Sequence, residues 1–221
     1  MKPTIKAVVF DFDGLVVDTE SVGYLTWKEI FNAHQVDLPV ERYAQLVGTN
    51  FANGYDPRRD LEERTAKAFD WEQIEAERRV REHSLGLSLK PLPGVLERLE
   101  EARAMGLMTA IASSSQRTWI NMWIDRLNLR SFFDHLSTVD DTGKVKPDPS
   151  LFLHAAENLG VDTSEALIFE DSQNGLLAAV AAGIRCVVAP SPMTRHLEFQ
   201  GAWKRVRSLK EVSLKSISDE W

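Results

Sequence analysis

Several side chains that could perform chemistry together follow separate apolar runs of the chain. Asp11 and Asp13 come directly after the run Ile5–Phe10. Later candidates are Ser113, Ser114 and Ser115, then Lys144 and Lys146, then Glu170 and Asp171. Each of these residue types suits one part of a phosphate-transfer reaction.

The chemistry can be divided among the residue types. A carboxylate such as Asp11 can attack phosphorus and form an aspartyl-phosphate. A second carboxylate, Asp13, can donate a proton to the leaving group and then take one from water. A serine at a helix start can hold phosphate oxygens, and a lysine offsets the negative charge of the nucleophile and the phosphate.

Four carboxylates in one site would repel one another and raise each other's pKa values. A bound divalent cation compensates for this repulsion. Oxygen ligands without Cys or His favour Mg²⁺, so we expect a magnesium cofactor.

The rest of the chain alternates between predicted strands and helices. Strands are predicted over Ile5–Phe10, Leu107–Ala112, Asp134–Val139, Ala166–Phe169 and Ile184–Val188. Helices are predicted over Val95–Met105, Gln116–Leu127, Pro149–Leu159 and Gly175–Ala182. This alternation predicts an α/β fold with a doubly wound, Rossmann-like parallel sheet. Ligands of such sheets bind beyond the carboxyl ends of the strands, where the candidate residues are predicted to meet.

A helical block separates the first predicted strand from the others. Within it, Asp56-Pro57 is typical of a helix start. We expect a catalytic core of residues 1–16 and 90–221 and an inserted all-helical cap over 17–89. The tail Trp203–Trp221 could add a strand and a helix to the core, or could fray.

Composition argues against several classes of protein. The net charge of -7 and the lack of a Lys/Arg block argue against a nucleic-acid partner. No stretch is long enough to span a membrane, and the apolar run before Asp11 is too short for a signal peptide. Cys186, the only cysteine, lies in an apolar run and suits a buried thiol in a reducing cytoplasm. We expect a cytoplasmic monomer.

Each motif alone has an ordinary structural explanation. The Asp-x-Asp-Gly sequence is common in turns, the serine run is common as a helix cap, and Glu170-Asp171 could be an acidic strand end. The combination is more specific, because every piece follows a predicted strand or lies in an adjoining loop.

Together, the motifs resemble those of the haloacid dehalogenase-like superfamily over essentially the whole chain. They are Asp11-Phe12-Asp13-Gly14 with Asp18-Thr19-Glu20, Ile111–Ser115, Lys146-Pro147-Asp148-Pro149 and Glu170–Gly175. The resemblance implies that Asp11 is the nucleophile and a metal ligand. It implies that Asp13 is the general acid/base and ligates the metal through its backbone carbonyl.

The remaining roles also come from the resemblance. Ser113 holds the phosphate with the backbone N–H of Ser114, and Lys146 steadies Asp11 and the phosphate. Glu170 and Asp171 complete the magnesium site. Lys144 is a rival for the lysine role, although the Pro-Asp-Pro after Lys146 favours Lys146.

The helical insertion resembles the type-1 cap of the superfamily, a lid that shields the site and selects the substrate. The second aspartate argues against dehalogenation, and the closest resemblance is to the β-phosphoglucomutase and phosphoglycolate phosphatase-like subgroup. Mutases are expected to carry a His early in the first cap helix and an Arg in the cap loop. This chain has Gly23 near the first position and no Arg in Val47–Phe51. These departures favour a phosphatase of small phosphate monoesters, with Asn50 a candidate substrate contact. The resemblance implies a sugar phosphate or a phosphoglycolate-like ester as substrate.

Two alternatives remain open at this stage. A β-phosphoglucomutase-like isomerase would interconvert sugar phosphates through a bisphosphate. A receiver-type phosphoacceptor module would combine similar residues on a doubly wound sheet, without a lid and without turnover.

Overall fold

The computed structural model describes residues 4–52 and 54–221, and these form a central parallel sheet. The strands are β1 Ala7–Phe10, β2 Met108–Ala112, β3 His135–Ser137, β4 Ala166–Glu170, β5 Arg185–Val188 and β6 Lys204–Arg205. Their order in the sheet is β3-β2-β1-β4-β5-β6, and every neighbouring pair is parallel. The predicted α/β fold is confirmed, and the carboxyl ends of all these strands lie at one edge.

Helices cover both faces of this sheet. Val8 and Phe10 of β1 belong to one hydrophobic cluster, whereas Ala7 and Val9 belong to a second. Successive side chains of a strand point to opposite faces, so the two clusters occupy opposite sides of the sheet. This explains why the central strands are continuously apolar.

The chain between β1 and β2 is helical in its described part. It contains α1 Thr19–Ala33, α2 Val40–Tyr43, α3 Pro57–Thr65 and α4 Trp71–Gly86. Later helices are α5 Val95–Ala104, α6 Arg117–Arg126, α7 Val139–Thr142, α8 Ser150–Asn158, α9 Gln173–Ala182 and α10 Leu214–Glu220. Within residues 4–52 and 54–221, no helix has the length and apolar character needed to cross a membrane.

The helices α1–α4 share a hydrophobic cluster of their own. Its fully or almost fully buried members include Trp27, Phe31 and Leu61, and Met193 joins them from beyond β5. Asp56 caps α3 by accepting a hydrogen bond from the backbone N–H two residues later, at 3.0 Å, as the sequence predicts. A separate cluster supports the predicted cap, whose boundaries at 17 and 89 stay a prediction.

β1, β2, β3 and β5 begin one or two residues later than predicted, and the ends of β3 and β4 also differ from the prediction. The predicted strand Asp134–Val139 ends at Ser137, because Val139 begins the short helix α7. The side chain of Asp141 stabilises that start by accepting from the backbone N–H and the hydroxyl of Thr138, both at 2.8 Å. At β4, the strand extends to include Glu170.

The tail folds onto the core as β6 and α10. Leu214 and Ile217 are fully buried, and the rings of Trp203 and Trp221 meet edge to face with centroids 5.7 Å apart. Of the two alternatives for this segment, the structure shows the added strand and helix.

We predict that Ile217→Ala lowers the free energy of unfolding by about 2–5 kcal/mol, because it leaves a cavity beneath α10. Lys215→Ala, at an exposed position of the same helix, should change it by less than about 0.5 kcal/mol. Urea unfolding of both variants measures the difference. Equal stabilities would mean that the tail does not pack on the core in solution.

Candidate active site

The predicted site residues that follow the strands lie at the edge of the sheet where the strands have their carboxyl ends. Phe10 pairs in register with Ile111 and Phe169. Just beyond β1, the backbone N–H of Asp11 donates to the carbonyl of Phe169 at 2.9 Å. The backbone N–H of Ser113 donates in the same way to the carbonyl of Ser137, the last residue of β3, at 2.9 Å. The strand ladder therefore continues past the strand ends and holds both residues in place.

Lys146 is fully buried, and its ammonium bridges two carboxylates. Its Nζ donates to Glu170 Oε2 at 2.8 Å and to Asp11 Oδ1. Burial lowers the pKa of Lys146, but the charges of Asp11 and Glu170 outweigh burial and leave its pKa raised. The rival Lys144 is exposed and pairs with Asp148 at 3.1 Å. The structure therefore brings Lys146 to the carboxylates and leaves Lys144 at the surface.

Asp11 and Asp171 retain buried carboxylate oxygens without donors. Within the described residues, Asp11 Oδ2 and both carboxylate oxygens of Asp171 have no hydrogen-bond partner. Burial and then the charge of Glu170 raise the pKa of Asp11 to about 8, against the opposing effect of Lys146. Burial and then the charges of Glu170 and Asp11 raise the pKa of Asp171 well above its usual value.

This buried group of carboxylates fits a metal ion. One ligand atom each from Asp11, Glu170 and Asp171 lies within 4.8 Å of the others. Hard oxygen donors that are buried and unpaired are suited to a small divalent cation such as Mg²⁺. The charge of such an ion would also offset the repulsion that raises the pKa values of Asp11 and Asp171.

Glycines allow the backbone to approach these acids closely. A Cβ on Gly14, where φ is +93°, would lie 2.4 Å from Asp171 Oδ2. A Cβ on Gly175 would lie 1.9 Å from Glu170 Cδ. The first turn of α9 also supports Glu170, whose Oε1 accepts from the hydroxyl of Ser172 at 2.8 Å. A larger residue at either glycine would displace an acid of the site.

Asp13 is not part of that three-acid group, and its carboxylate accepts four hydrogen bonds from residues that the structure describes. Oδ1 accepts from the hydroxyl of Thr19 at 2.7 Å and from the indole N–H of Trp119 at 2.8 Å. Oδ2 accepts from the hydroxyls of Ser115 at 2.7 Å and Ser113 at 3.3 Å. Ser113 therefore connects Asp13 to the predicted phosphate position.

Ser114 joins the helical segment to the core. Its hydroxyl donates to the carbonyl of Gly48 at 2.9 Å and accepts from the backbone N–H of Lys146 at 3.2 Å. The side chain of Asn174 also donates to the carbonyl of Val47, at 2.9 Å. In the described chain the backbone N–H of Ser114 makes no hydrogen bond, so it can donate to a ligand.

A cleft of about 600 Å³ lies between α4 and the loop that follows β2. It is lined by Arg78, Arg79, Glu82, Ser114, Ser115, Gln116, Thr118, Trp119 and Met122. Asn50 is exposed on the loop that reaches the core through Gly48, and it is not among these lining residues. Its contact with substrate stays a prediction.

The sequence matches the family model of the haloacid dehalogenase-like hydrolases over residues 8–189. The chain belongs to this family. The predicted family is therefore confirmed, and the receiver-type alternative is removed.

Relatives of this haloacid dehalogenase-like hydrolase include named phosphatases. YhcW, a candidate phosphatase of Bacillus subtilis (strain 168), is 40% identical over 215 residues, covering 97% of each chain. Hexitol phosphatase B of Escherichia coli (strain K12) is 30% identical over 228 residues, covering 96% of each chain. The crystal structure of CbbY from Rhodobacter sphaeroides in complex with phosphate is 29% identical, with a TM-score of 0.76, covering 97% of this chain and 99% of CbbY. These likenesses support the predicted class of phosphoric monoester hydrolase.

Some contacts of this hydrolase site are not evident in the sequence. The indole of Trp119 and the hydroxyl of Thr19 reach Asp13 from a core helix and from the start of α1. Glu20, in the first turn of α1, has its pKa raised well above the usual value by burial and then by the charges of Asp13 and Asp11. The aspartate-threonine-glutamate sequence after the first motif was the available signal for Thr19 and Glu20. Trp119 had none, because an aromatic residue in an amphipathic helix is ordinarily a core residue.

We predict that Lys146→Met lowers the free energy of unfolding by about 3–5 kcal/mol, because it leaves two buried carboxylates without their cation. Lys144→Met, which breaks only a surface ion pair, should cost less than about 1 kcal/mol. Urea unfolding in EDTA measures both variants without interference from metal. A Lys146→Met protein as stable as wild type would contradict the buried ion-pair geometry.

Proposed function

We propose that the chain is a magnesium-dependent phosphatase that hydrolyses small phosphate monoesters through an aspartyl-phosphate on Asp11. The observation that carries the proposal is the state of the Asp11 carboxylate. One of its oxygens is held by the ammonium of Lys146, while the other is buried and has no donor among the described residues. A carboxylate held in this way, with one oxygen left unpaired, is suited to attack phosphorus.

The reaction divides between two aspartates. Asp11 forms an O–P bond while the ester P–O bond breaks, and Asp13 donates a proton to the departing alcohol oxygen. Water then attacks phosphorus, the bond to Asp11 breaks, and Asp13 takes the proton from that water. Ser113 and the free N–H of Ser114 bind the phosphate oxygens, and Lys146 offsets their charge.

Magnesium would be held by carboxylate oxygens of Asp11, Glu170 and Asp171 and by the backbone carbonyl of Asp13. When bound, the ion supplies positive charge that brings the anionic nucleophile and the anionic phosphate together. The unpaired oxygens of Asp11 and Asp171 support this assignment. Glu170 also accepts hydrogen bonds from the ammonium of Lys146 and the hydroxyl of Ser172, so it helps to orient both side chains.

We propose a lid over 17–89 on a core of 1–16 and 90–221. The separate hydrophobic cluster of α1–α4 supports this division, as does the cleft between α4 and the serine loop. The lid would select the leaving group, with Asn50 as a candidate contact. Because the relatives include a hexitol phosphatase, a sugar phosphate is the first substrate class to examine. A buried Cys186 suits a cytoplasmic location, where we expect a monomer.

The mutase alternative receives less support from the cap loop. A bisphosphate intermediate needs a cation for its second phosphate, and Val47–Phe51 contains no arginine. The nearby Arg58 pairs with Asp56 at 2.9 Å, and its guanidinium lies 4.7 Å from the ring centroid of Phe51. Because its guanidinium already contacts Asp56 and Phe51, Arg58 is less suited to be the cation that a second phosphate would need.

With a panel of phosphate esters and Mg²⁺, we expect multiple-turnover phosphate release that EDTA abolishes. Asp11→Asn should lower kcat by at least about 10³-fold, because an amide is not a competent nucleophile. Including a hexose 1-phosphate separates hydrolysis from isomerisation to the 6-phosphate. Undiminished release by Asp11→Asn would contradict the proposed mechanism.

We also expect Asp171→Asn to weaken Mg²⁺ binding by at least about tenfold, since it removes a charged ligand. Isothermal titration of Mg²⁺ into the protein measures this directly, without substrate. Asp219→Asn, at an exposed position of α10, is the matched control and should bind as wild type does. Unchanged affinity in Asp171→Asn would remove that residue from the metal site.

A further inference from the structure

Two kinds of donor hold the carboxylate of Asp13. Oδ1 accepts from the indole N–H of Trp119 and from a threonine hydroxyl, at 2.8 and 2.7 Å. Oδ2 accepts from two serine hydroxyls only. An indole N–H can only donate, whereas a hydroxyl can reverse its role and accept. Trp119 therefore requires Oδ1 to remain an acceptor, and this contact fixes how the carboxylate of Asp13 is turned.

We propose that Trp119 is a positioning residue that orients the carboxylate of Asp13 for proton transfer. This proposal rests on the proposed function, because Asp13 transfers a proton only if the chain hydrolyses phosphate esters. Oδ2 is also the oxygen near Ser113, at 3.3 Å. The orientation set by Trp119 thus places Oδ2 beside the serine that is predicted to hold the phosphate.

The surroundings of Trp119 favour a specific role for its indole. Trp119 lies in the first turn of α6 and lines the cleft, with its ring edge to face on Trp123 at 5.8 Å between centroids. Trp123 is almost fully buried, yet its indole N–H has no partner among the described residues. The helix therefore presents two adjacent tryptophans, of which Trp119 donates to Asp13 and Trp123 does not.

These two tryptophans make a matched pair of variants. Trp119→Phe keeps an aromatic ring and removes the indole donor to Asp13, whereas Trp123→Phe removes an indole N–H that has no partner among the described residues. An alkyl phosphate needs its leaving group protonated, so Trp119→Phe should lower kcat/KM for it by at least about tenfold. Dinitrophenyl phosphate releases a stable anion, so its kcat/KM should change by less than about threefold. Trp123→Phe should leave both substrates within about threefold of wild type.

Equal losses with the two esters would assign Trp119 a merely structural role and overturn the proposal. An unchanged rate with the alkyl ester would also overturn it.

Nitrogen–proton correlation spectra of the indole groups test the contact without turnover. The Trp119 resonance, identified by its loss in Trp119→Phe, should move in Asp13→Asn while the Trp123 resonance stays in place. A stationary Trp119 resonance would overturn the contact itself. If the resonance moves but wild type hydrolyses neither ester, the contact stands, and the failure belongs to the proposed function and to the proton-transfer role built on it.

Discussion

Three carboxylates are buried together with a single ammonium, and the rest of the site depends on this excess of negative charge. Asp11, Glu170 and Asp171 are at most 4% exposed, and Lys146 is fully buried between two of them. A single lysine cannot neutralise three acids, so burial and mutual repulsion raise the pKa values of Asp11 and Asp171. A site of this kind is stable only where the fold holds the acids in place and a further cation can complete the charge balance.

The sheet and its loops supply that restraint. Parallel register brings the ends of β1 and β4 side by side, and the close approach at Gly14 and Gly175 leaves little freedom for Asp171 and Glu170. The amide and hydroxyl donors at the start of α9 then hold Glu170 in its orientation. One ligand atom of each acid lies within 4.8 Å of the others, so a divalent cation would be attracted there and its charge would in turn attract a phosphate.

The helical segment is connected to the same centre by short polar contacts. The hydroxyl of Ser114 bonds the carbonyl of Gly48 and the backbone N–H of Lys146, so it joins the loop of the proposed lid to the buried lysine. Asp13 is similarly connected to Thr19, which begins the first helix of that segment. Movement of the proposed lid would therefore change the contacts of Lys146 and Asp13.

Much of this arrangement could be predicted from the sequence. Strand ends in a parallel sheet must meet, so Asp11, Ser113 and Glu170 were predictable from apolar runs and from the order of the motifs. Lys146 was distinguished from Lys144 only by the residues that follow it, and the structure brings Lys146 to the acids. The contact of Trp119 with Asp13 joins residues more than a hundred positions apart and depends on the rotation of a helix about its axis. Such a contact follows from tertiary packing, which periodicity does not specify.

The central claim is that Asp11 becomes phosphorylated during turnover, and trapping that species tests it most directly. Borohydride reduction of an acid-quenched reaction with Mg²⁺ and substrate converts an aspartyl-phosphate to homoserine. Peptide mass spectrometry then shows which carboxylate had reacted. If Asp11 is the nucleophile, homoserine is expected at position 11 in wild type and is lost when substrate is omitted. Homoserine at another acid, or none during measurable turnover, would contradict the role of Asp11.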